Sequence, residues 1–559
     1  MKNIIKLICL LTIFGAFASC DDFLTIVPDD RQVFETYYID DEAVDANTAS
    51  LYSAYVWQDF HINFMWMAGD ELSGDLFYTY AEEGQFYLMN FNSTNTFMTA
   101  GWDGLYRVVS YCNNIINNMP TAARANGVSE SVVNRGLAET RCIRAFAYYF
   151  LTEYWKDVPI ITDNNMSGND IRRHTQSSVY EFMRRDLEFA KDNLPDAPFQ
   201  AGRVTKWTAE GMLAKLHLTM ASHLDDANSS DNFAKAKEYA ADVINNSGLE
   251  LYADLSTLFY PAGNNNSESL FAIQCTQDGY SYGNARNVSL SRNENINLGN
   301  SWGAGKGVTL SLQSAFENGD ARRRLTFMRN GDHYDNLAGG GYDYHNVNKS
   351  LSKEETANEM LSHVRKYIVG ANADCGGKAG ATNQDAGNNI YLLRLADVYL
   401  VYAEACIGAG TSTNDALAIQ VFNKIRQRAG LAAVSSITYD QLIKERRVEF
   451  ALESINFFDI KRMSYRNEQS AVDYLNSMER WKQYVQNSNY TDEEYNAANM
   501  YHGGFTSVEP EDEVDGTPFF INPDIAVITF NANQLVLPIP DGTATKTPNI
   551  RETPVDYDF

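Results

Sequence analysis

The chain has 559 residues, of which 44% are hydrophobic and 21% charged, as is ordinary for a globular protein with a large core. Its formal net charge of −27 repels phosphate backbones and anionic lipids, which argues against nucleic acid and other polyanions as ligands. The 33 Tyr, 29 Phe and 7 Trp are an unusually large aromatic share, and the acidic balance favours neutral ligands.

The first twenty residues have the pattern of an export signal. Two lysines precede an apolar run over 7–18, and small residues stand directly before Cys20. The run is too short to span a bilayer. A cysteine in this position resembles a bacterial lipoprotein box, and a plain secretory signal with a free cysteine is the alternative. We predict a signal peptide at 1–19, lipid attachment at Cys20 and a mature protein outside the cytoplasm.

Apolar residues recur at three- and four-residue steps in eight segments and predict helices there. These segments are 102–119, 133–155, 179–194, 208–222, 233–245, 393–408, 416–429 and 439–463. Pro120 is predicted to end the first helix. Alanines such as Ala209, Ala214 and Ala221 stand at close-packing steps, which favours helix pairs of the tetratricopeptide type. The predicted fold class is mainly α.

Five cysteines follow Cys20, an odd number without close spacing, so no disulfide framework or CxxC zinc site is predicted. Cys112, Cys142 and Cys406 fall in predicted helices and are expected to act as small buried hydrophobes.

The amino-acid composition changes between Gly248 and Gly387, where Asn, Gly, Ser and Tyr dominate. This composition predicts loop-rich structure with short strands, such as 270–274. Long loops are usually functional or disordered, and the aromatic content argues against disorder. A second loop-rich stretch covers 487–523.

A group of charged residues near the C-terminus stands at helical steps, which predicts ion pairs between residues three and four apart along one helix. The role expected for these side chains is to brace packed helices. These residues are Arg446, Arg447, Glu449 and Glu453.

Many short runs in a fixed order resemble one known family. They include Cys20 to Leu24, Arg144 to Phe150, Asp157-Val158-Pro159, Arg203 to Lys206, Arg394 to Val398, Glu445-Arg446-Arg447 and Phe457-Phe458-Asp459. Together they are similar to the SusD/RagB family of nutrient-binding outer-membrane lipoproteins, and the resemblance covers nearly the whole mature chain.

The resemblance implies about four tetratricopeptide-like helix pairs with long loop insertions and minor short β strands. It also implies a surface lipoprotein of the outer membrane that binds oligosaccharides and passes them to a SusC-like, TonB-dependent transporter without cleaving them. The domains expected are an N-terminal SusD-like region at 20–250, a loop-rich ligand-binding insertion at 251–390 and a C-terminal region at 391–559. A peptide-capturing lipoprotein of the same fold is the main alternative.

Sugar binding requires aromatic rings that face the C–H side of a pyranose, with polar groups for its hydroxyls. The stretch 65–97 and the insertion supply both. The candidate ligand-binding residues are Asp70, Tyr80, Tyr87, Phe91, Tyr280, Tyr282, Trp302 and Tyr344. Trp302 is the strongest because its neighbour Gly303 suggests an exposed loop tip. The family's binding residues vary with ligand, so only the two regions carry over.

No catalytic residue, cofactor or metal ligand is predicted. The sequence has no HExxH or GxSxG motif, and its histidines lack metal-ligand spacing. The run Gly303 to Gly307 fails as a phosphate loop because Asn300 replaces the leading glycine and Gly307 the Ser or Thr. Two readings remain open: a purely structural role, and a hydrolase that uses one of the many possible carboxylate pairs.

Overall fold

The computed structural model describes residues 34–277, 279, 281–329, 332–344, 362–370, 385–480, 484–486, 519–521 and 527–559. The signal segment, Cys20, Tyr280 and Cys375 lie outside these ranges, so the predictions made for them stay predictions.

Helices dominate the described residues, and ten of them have ten or more residues. They are α1 (Thr96–Ala125), α2 (Glu130–Trp155), α3 (Gln176–Asn193), α4 (Lys206–Ala221), α5 (Ser229–Asn246), α6 (Leu395–Ile407), α7 (Ala416–Arg428), α8 (Tyr439–Glu449), α9 (Asn456–Arg466) and α10 (Glu468–Ser477). This confirms the predicted fold class.

The helices from α1 to α7 pack in chain order, each against the next, and α6 also contacts α4 and α8. The alanines predicted to allow close approach lie in these contacts. Ala209, Ala214 and Ala221 of α4 and Ala396 and Ala403 of α6 are fully buried. Small side chains let the helix axes approach closely, as in helical repeats.

Contrary to the sequence prediction, Pro120 does not end its helix, because α1 continues to Ala125. A proline inside a helix loses one backbone hydrogen bond and costs about 3 kcal/mol. The turn beyond it buries Ala122 and Ala123 in the core. We attribute the longer helix to this burial, which offsets the cost of the proline.

The single helix predicted over 439–463 is two helices, α8 and α9. Between them Leu452 and Ser454 have φ angles of +60° and +67°, which non-glycine residues rarely adopt. The carbonyl of Leu452 accepts from Arg286 Nη1 at 2.9 Å, and the backbone N–H of Ser454 donates to Asp70 at 2.8 Å. These partners are distant in sequence, so periodicity alone could not reveal the break.

The predicted ion pairs along α8 do not form, and the same side chains pair with other elements instead. Glu449 and Glu453 both bind Arg394, with N–O distances of 2.7 and 2.8 Å. Arg446 binds Asp397 at 2.8 Å. The bracing of packed elements is therefore confirmed, whereas the intrahelical pairing was wrong because α8 is buried on several sides.

The strands are short and form two-stranded antiparallel ladders. They are β1 (Leu76–Phe77), β2 (Ser269–Ile273), β3 (Gly307–Val308), β4 (Phe327–Met328), β5 (His333–Tyr334), β6 (Tyr342–Asp343), β7 (His363–Val364), β8 (Ile390–Arg394), β9 (Ser412–Thr413), β10 (Ile437–Thr438), β11 (Tyr484–Gln486) and β12 (Phe519–Ile521). The pairs are β1–β3, β2–β8, β4–β7, β5–β6, β9–β10 and β11–β12. The strand predicted at 270–274 corresponds to β2.

Two further findings concern the described residues only. Cys112 and Cys142 are fully buried free thiols, as predicted, while Cys406 is only partly buried. None of the described helices combines the length and apolar character needed to cross a bilayer.

Candidate functional site

Two of the residues singled out from the sequence are the most exposed aromatic side chains among the described residues. Tyr80 is 74% exposed and Trp302 is 56% exposed. Aromatic rings normally supply core area, so two large rings left in solvent need a reason outside the core. Exposed apolar groups that cluster often mark a contact surface.

The β1–β3 ladder brings the loops that carry these two rings together. Its register pairs Leu76 with Val308 and Phe77 with Gly307, so the chain leaving β1 runs beside the chain entering β3. A Cβ atom at Gly305 would lie 3.4 Å from Cε2 of Tyr78, which confirms that the loops touch. We call the two adjacent loops that carry Tyr78, Tyr80 and Trp302 the aromatic ridge.

Local backbone contacts hold Trp302 outward. Its N–H donates to the carbonyl of Val288 at 2.8 Å, and the next N–H, that of Gly303, donates to the carbonyl of Ser291 at 2.8 Å. Gly303 packs so closely that an added Cβ would lie 2.3 Å from the carbonyl carbon of Leu290. Glycine is therefore required for this approach, and the sequence signal that favoured Trp302 has a physical basis.

A second exposed aromatic group consists of Tyr55 and Tyr282, which we call the tyrosine pair. Their rings are stacked with centroids 5.3 Å apart and an interplanar angle of 16°. They are 41% and 42% exposed. The sequence pointed to Tyr282 but missed Tyr55, because only the bridge between Ser53 and Gln274 brings the two segments together.

Lys306 lies beneath the aromatic ridge with a side chain only 4% exposed. Its Nζ is 2.7 Å from Oε1 of Glu83 and donates to the carbonyl of Ser289 at 3.1 Å. The same atom is 4.2 Å from the ring centre of Trp66 and 4.9 Å from that of Tyr78. Aromatic faces attract a cation in this position. Lys306 is thus a buried partner of both ridge loops, which the sequence did not indicate.

Two buried carboxyl groups accompany this lysine. Burial, and then the charge of Glu83, raise the pKa of Glu71 well above its usual range, which favours the neutral form of Glu71. Burial also raises the pKa of Glu83, while the nearby Lys306 opposes that rise. The charge that faces Lys306 is therefore that of Glu83.

Asp70 and Tyr87 do not reach the surface, since they are 1% and 0% exposed. Both carboxylate oxygens of Asp70 accept hydrogen bonds from Ser454, from its N–H and its hydroxyl, at 2.8 Å each. The hydroxyl of Tyr87 donates to the carbonyl of Arg480. The structure therefore corrects their prediction as ligand contacts. Both side chains are enclosed by segments distant in sequence and lie inside the protein.

Tyr344 is also buried, at 0% exposed. Burial lowers the pKa of His363 to about 3, so its ring is neutral, accepts from the hydroxyl of Tyr344 and donates to the carbonyl of Ala304 at 3.1 Å. Tyr344 therefore supports the Trp302 loop from within, which corrects its prediction as a ligand contact. Phe91 is partly buried and packs beside Phe86 at 6.2 Å between ring centroids.

Several hollows line other parts of the described surface. One of about 910 Å³ is lined by residues including Tyr439, Arg466 and Tyr474, and one of about 570 Å³ includes Arg324 and Arg428. Neither lining contains a residue of the aromatic ridge. The ridge is thus an open surface that is separate from these two hollows. Within the described residues, no group of three or more His, Cys, Asp or Glu side chains could hold a metal ion.

Two family models match the chain. The model described as the SusD family covers residues 267–555. The model described as starch-binding and associating with the outer membrane covers residues 22–218. Between them the two matches include both loops of the aromatic ridge and all ten long helices except α5 and the last residues of α4.

Individual proteins of this family are also similar to the chain. A SusD-like protein of Bacteroides ovatus is 32% identical, over 99% of this chain and 98% of that protein. SusD-like protein P2 of Formosa agariphila is 29% identical, over 67% of this chain and 73% of its own length. A crystal structure determined with a xylogluco-oligosaccharide has a TM-score of 0.79 at 27% identity, over 92% of this chain and 99% of that one. Since sequence similarity extends along nearly the whole chain and the fold matches as well, this chain belongs to the SusD family.

Proposed function

We propose that the protein is a cell-surface lipoprotein that binds oligosaccharides and delivers them to a SusC-like, TonB-dependent transporter without cleaving them. Family membership supports this proposal. A related structure at 27% identity was determined with a xylogluco-oligosaccharide, which makes a neutral glycan the first ligand to test. The net charge of −27 also favours a neutral ligand.

The observation that carries the proposal is the aromatic ridge. Tyr80 and Trp302 leave large rings in solvent on neighbouring loops. A ring of this kind offers a flat apolar face to the C–H side of a pyranose, while tyrosine hydroxyls are donors and acceptors for sugar hydroxyls. The tyrosine pair supplies further exposed rings at 41% and 42%.

A binding role without cleavage fits the orientation of the nearby acids. A glycosidase requires two carboxyl groups that flank the scissile bond. Asp70 is bound to Ser454, Glu71 is 0% exposed and Glu83 faces Lys306. These three carboxyl groups point into the protein rather than toward a sugar lying on the ridge.

Delivery to a transporter can be tested in the native membrane. We expect affinity purification from detergent-solubilised outer membranes to retain a TonB-dependent barrel together with this chain. Recovery of the chain alone under conditions that preserve other outer-membrane complexes would contradict the partnership.

Replacing Trp302 with alanine is expected to weaken glycan binding about tenfold, or about 1.4 kcal/mol, because one stacking face is lost. The melting temperature should change little, since the side chain is 56% exposed and its loop is held by backbone contacts. Calorimetric titration against neutral oligosaccharides, beginning with a xylogluco-oligosaccharide, gives the affinity.

Tyr111 provides a matched control, because it is an aromatic residue of α1 that is 40% exposed and lies outside the ridge. Tyr111→Ala should bind the glycan as the wild type does. Equal affinity of W302A and wild type would remove Trp302 from the site. Binding of oligopeptides but of no glycan would instead favour the peptide-capturing alternative.

A further inference from the structure

The contacts of Lys306 join two separate loops. The first loop follows β1 and carries Tyr78, Tyr80 and Glu83. The second precedes β3 and carries Trp302. Beyond the end of the ladder, the Lys306 side chain reaches from the second loop to Glu83 and the ring of Tyr78 in the first.

Each loop is also held separately to its own surroundings. Asn95 at the start of α1 donates to the carbonyl of Glu82 in the first loop at 2.9 Å. In the second, Trp302 and Gly303 donate to carbonyls near Leu290. These bonds fix each loop to a different part of the protein, so they do not by themselves set the spacing between Tyr80 and Trp302.

We propose that Lys306 is the positioning residue of the aromatic ridge, whose ammonium group holds the two loops at the spacing at which Tyr80 and Trp302 engage one ligand. This inference rests on the proposed function, because the quantity that Lys306 sets is affinity for a glycan. A surface organised before the ligand arrives loses less conformational freedom on binding.

A purely stabilising role accounts poorly for this lysine. Removing a lysine and a carboxylate from water is costly, and replacing a buried ion pair by apolar groups is often neutral or stabilising. Packing between Trp66 and Tyr78 alone would be served by an apolar side chain. An ammonium group, by contrast, forms an ion pair with Glu83 at 2.7 Å and at the same time donates a hydrogen bond to the carbonyl of Ser289.

Three variants separate positioning from stability: Lys306→Met, Glu83→Gln and the double variant. K306M leaves the Glu83 charge buried without its partner and should lose both stability and affinity, with a glycan Kd about tenfold higher. The double variant carries neither charge, so its melting temperature should recover toward that of wild type. Its affinity should stay as low as that of K306M, because the link between the loops is still missing.

Amide hydrogen exchange of the ligand-free protein tests whether Lys306 holds the two loops together, and it does not depend on glycan binding. Exchange should rise in 79–84 and 301–305 in K306M and in the double variant. Lys215 is a matched control, because it is a buried lysine of α4 that binds Asp397 at 2.8 Å and lies over the ring of Tyr149. K215M should lower stability without raising exchange selectively in the two loops.

These outcomes distinguish a positioning role of Lys306 from a purely stabilising one. If affinity recovers with stability in the double variant, Lys306 acts only through the fold and the positioning role is overturned. If exchange in both loops is unchanged, the role is overturned as well. If the wild type binds no glycan while exchange rises as expected, the proposed function fails and the structural link between the loops stands.

Discussion

Replacing Arg394 with methionine is expected to lower the free energy of unfolding by about 3–5 kcal/mol, the range for breaking a buried ion pair. The side chain is 2% exposed and lies among three buried carboxylates. Its N–O distances are 2.9 Å to Glu268, 2.7 Å to Glu449 and 2.8 Å to Glu453. Methionine leaves these acids with too little positive charge nearby. Chemical denaturation followed by circular dichroism measures the loss.

The variant should still fold, because other cations remain in the cluster. Burial disfavours ionisation of Glu449, yet Arg428, Arg394 and Arg322 outweigh that effect and hold its pKa below the usual range. Two of these three arginines persist in R394M. Glu453 also keeps Lys366 at 3.0 Å.

Arg124 provides the contrasting case. It pairs with Glu130 at the surface, where the two side chains are 47% and 60% exposed. Solvent-exposed pairs contribute little, so Arg124→Met should leave stability unchanged within error. If R394M also unfolds within about 1 kcal/mol of wild type, the buried cluster does not contribute in the way its geometry indicates.

The sequence predicted the main helices but not the partners of these charged residues, and this difference has a physical explanation. Helical periodicity located the main helices because each buries one continuous face, and that pattern is local. The partners of Arg394 come from segments far apart in the chain, at Glu268 and at Glu449 and Glu453. Charge spacing within α8 therefore indicated bracing but could not identify the partners.

The candidate site shows the same limit. The exposure of Trp302 could be predicted because its neighbour Gly303 makes a tight local backbone contact. Tyr87 and Tyr344 have similar aromatic neighbourhoods in the sequence, yet Arg480 and His363 bind their hydroxyls in the interior. An exposed tyrosine and one that supports a loop from inside the protein have the same local sequence signature. Only tertiary contacts distinguish them.

Asp70→Asn is expected to change how stability depends on pH. Burial raises the pKa of Asp70 to about 7, although Arg286 and Ser454 favour the charged form. A carboxyl group whose pKa is higher in the folded than in the unfolded state does not destabilise the protein at a pH below its unfolded pKa. The loss of stability caused by ionising it grows as the pH rises toward 7 and is constant above that value.

The asparagine variant lacks this cost at every pH. Relative to wild type, its free energy of unfolding should therefore rise by about 2–3 kcal/mol between pH 5 and pH 8. The constant part of the difference depends on how the amide hydrogen-bonds to Ser454, so the test is the slope. Urea denaturation at several pH values gives it, and Asp225→Asn, at an exposed position, is the control expected to show no such slope. Parallel profiles for D70N and wild type would mean that Asp70 ionises normally. Burial of Asp70 would then add no cost to its ionisation.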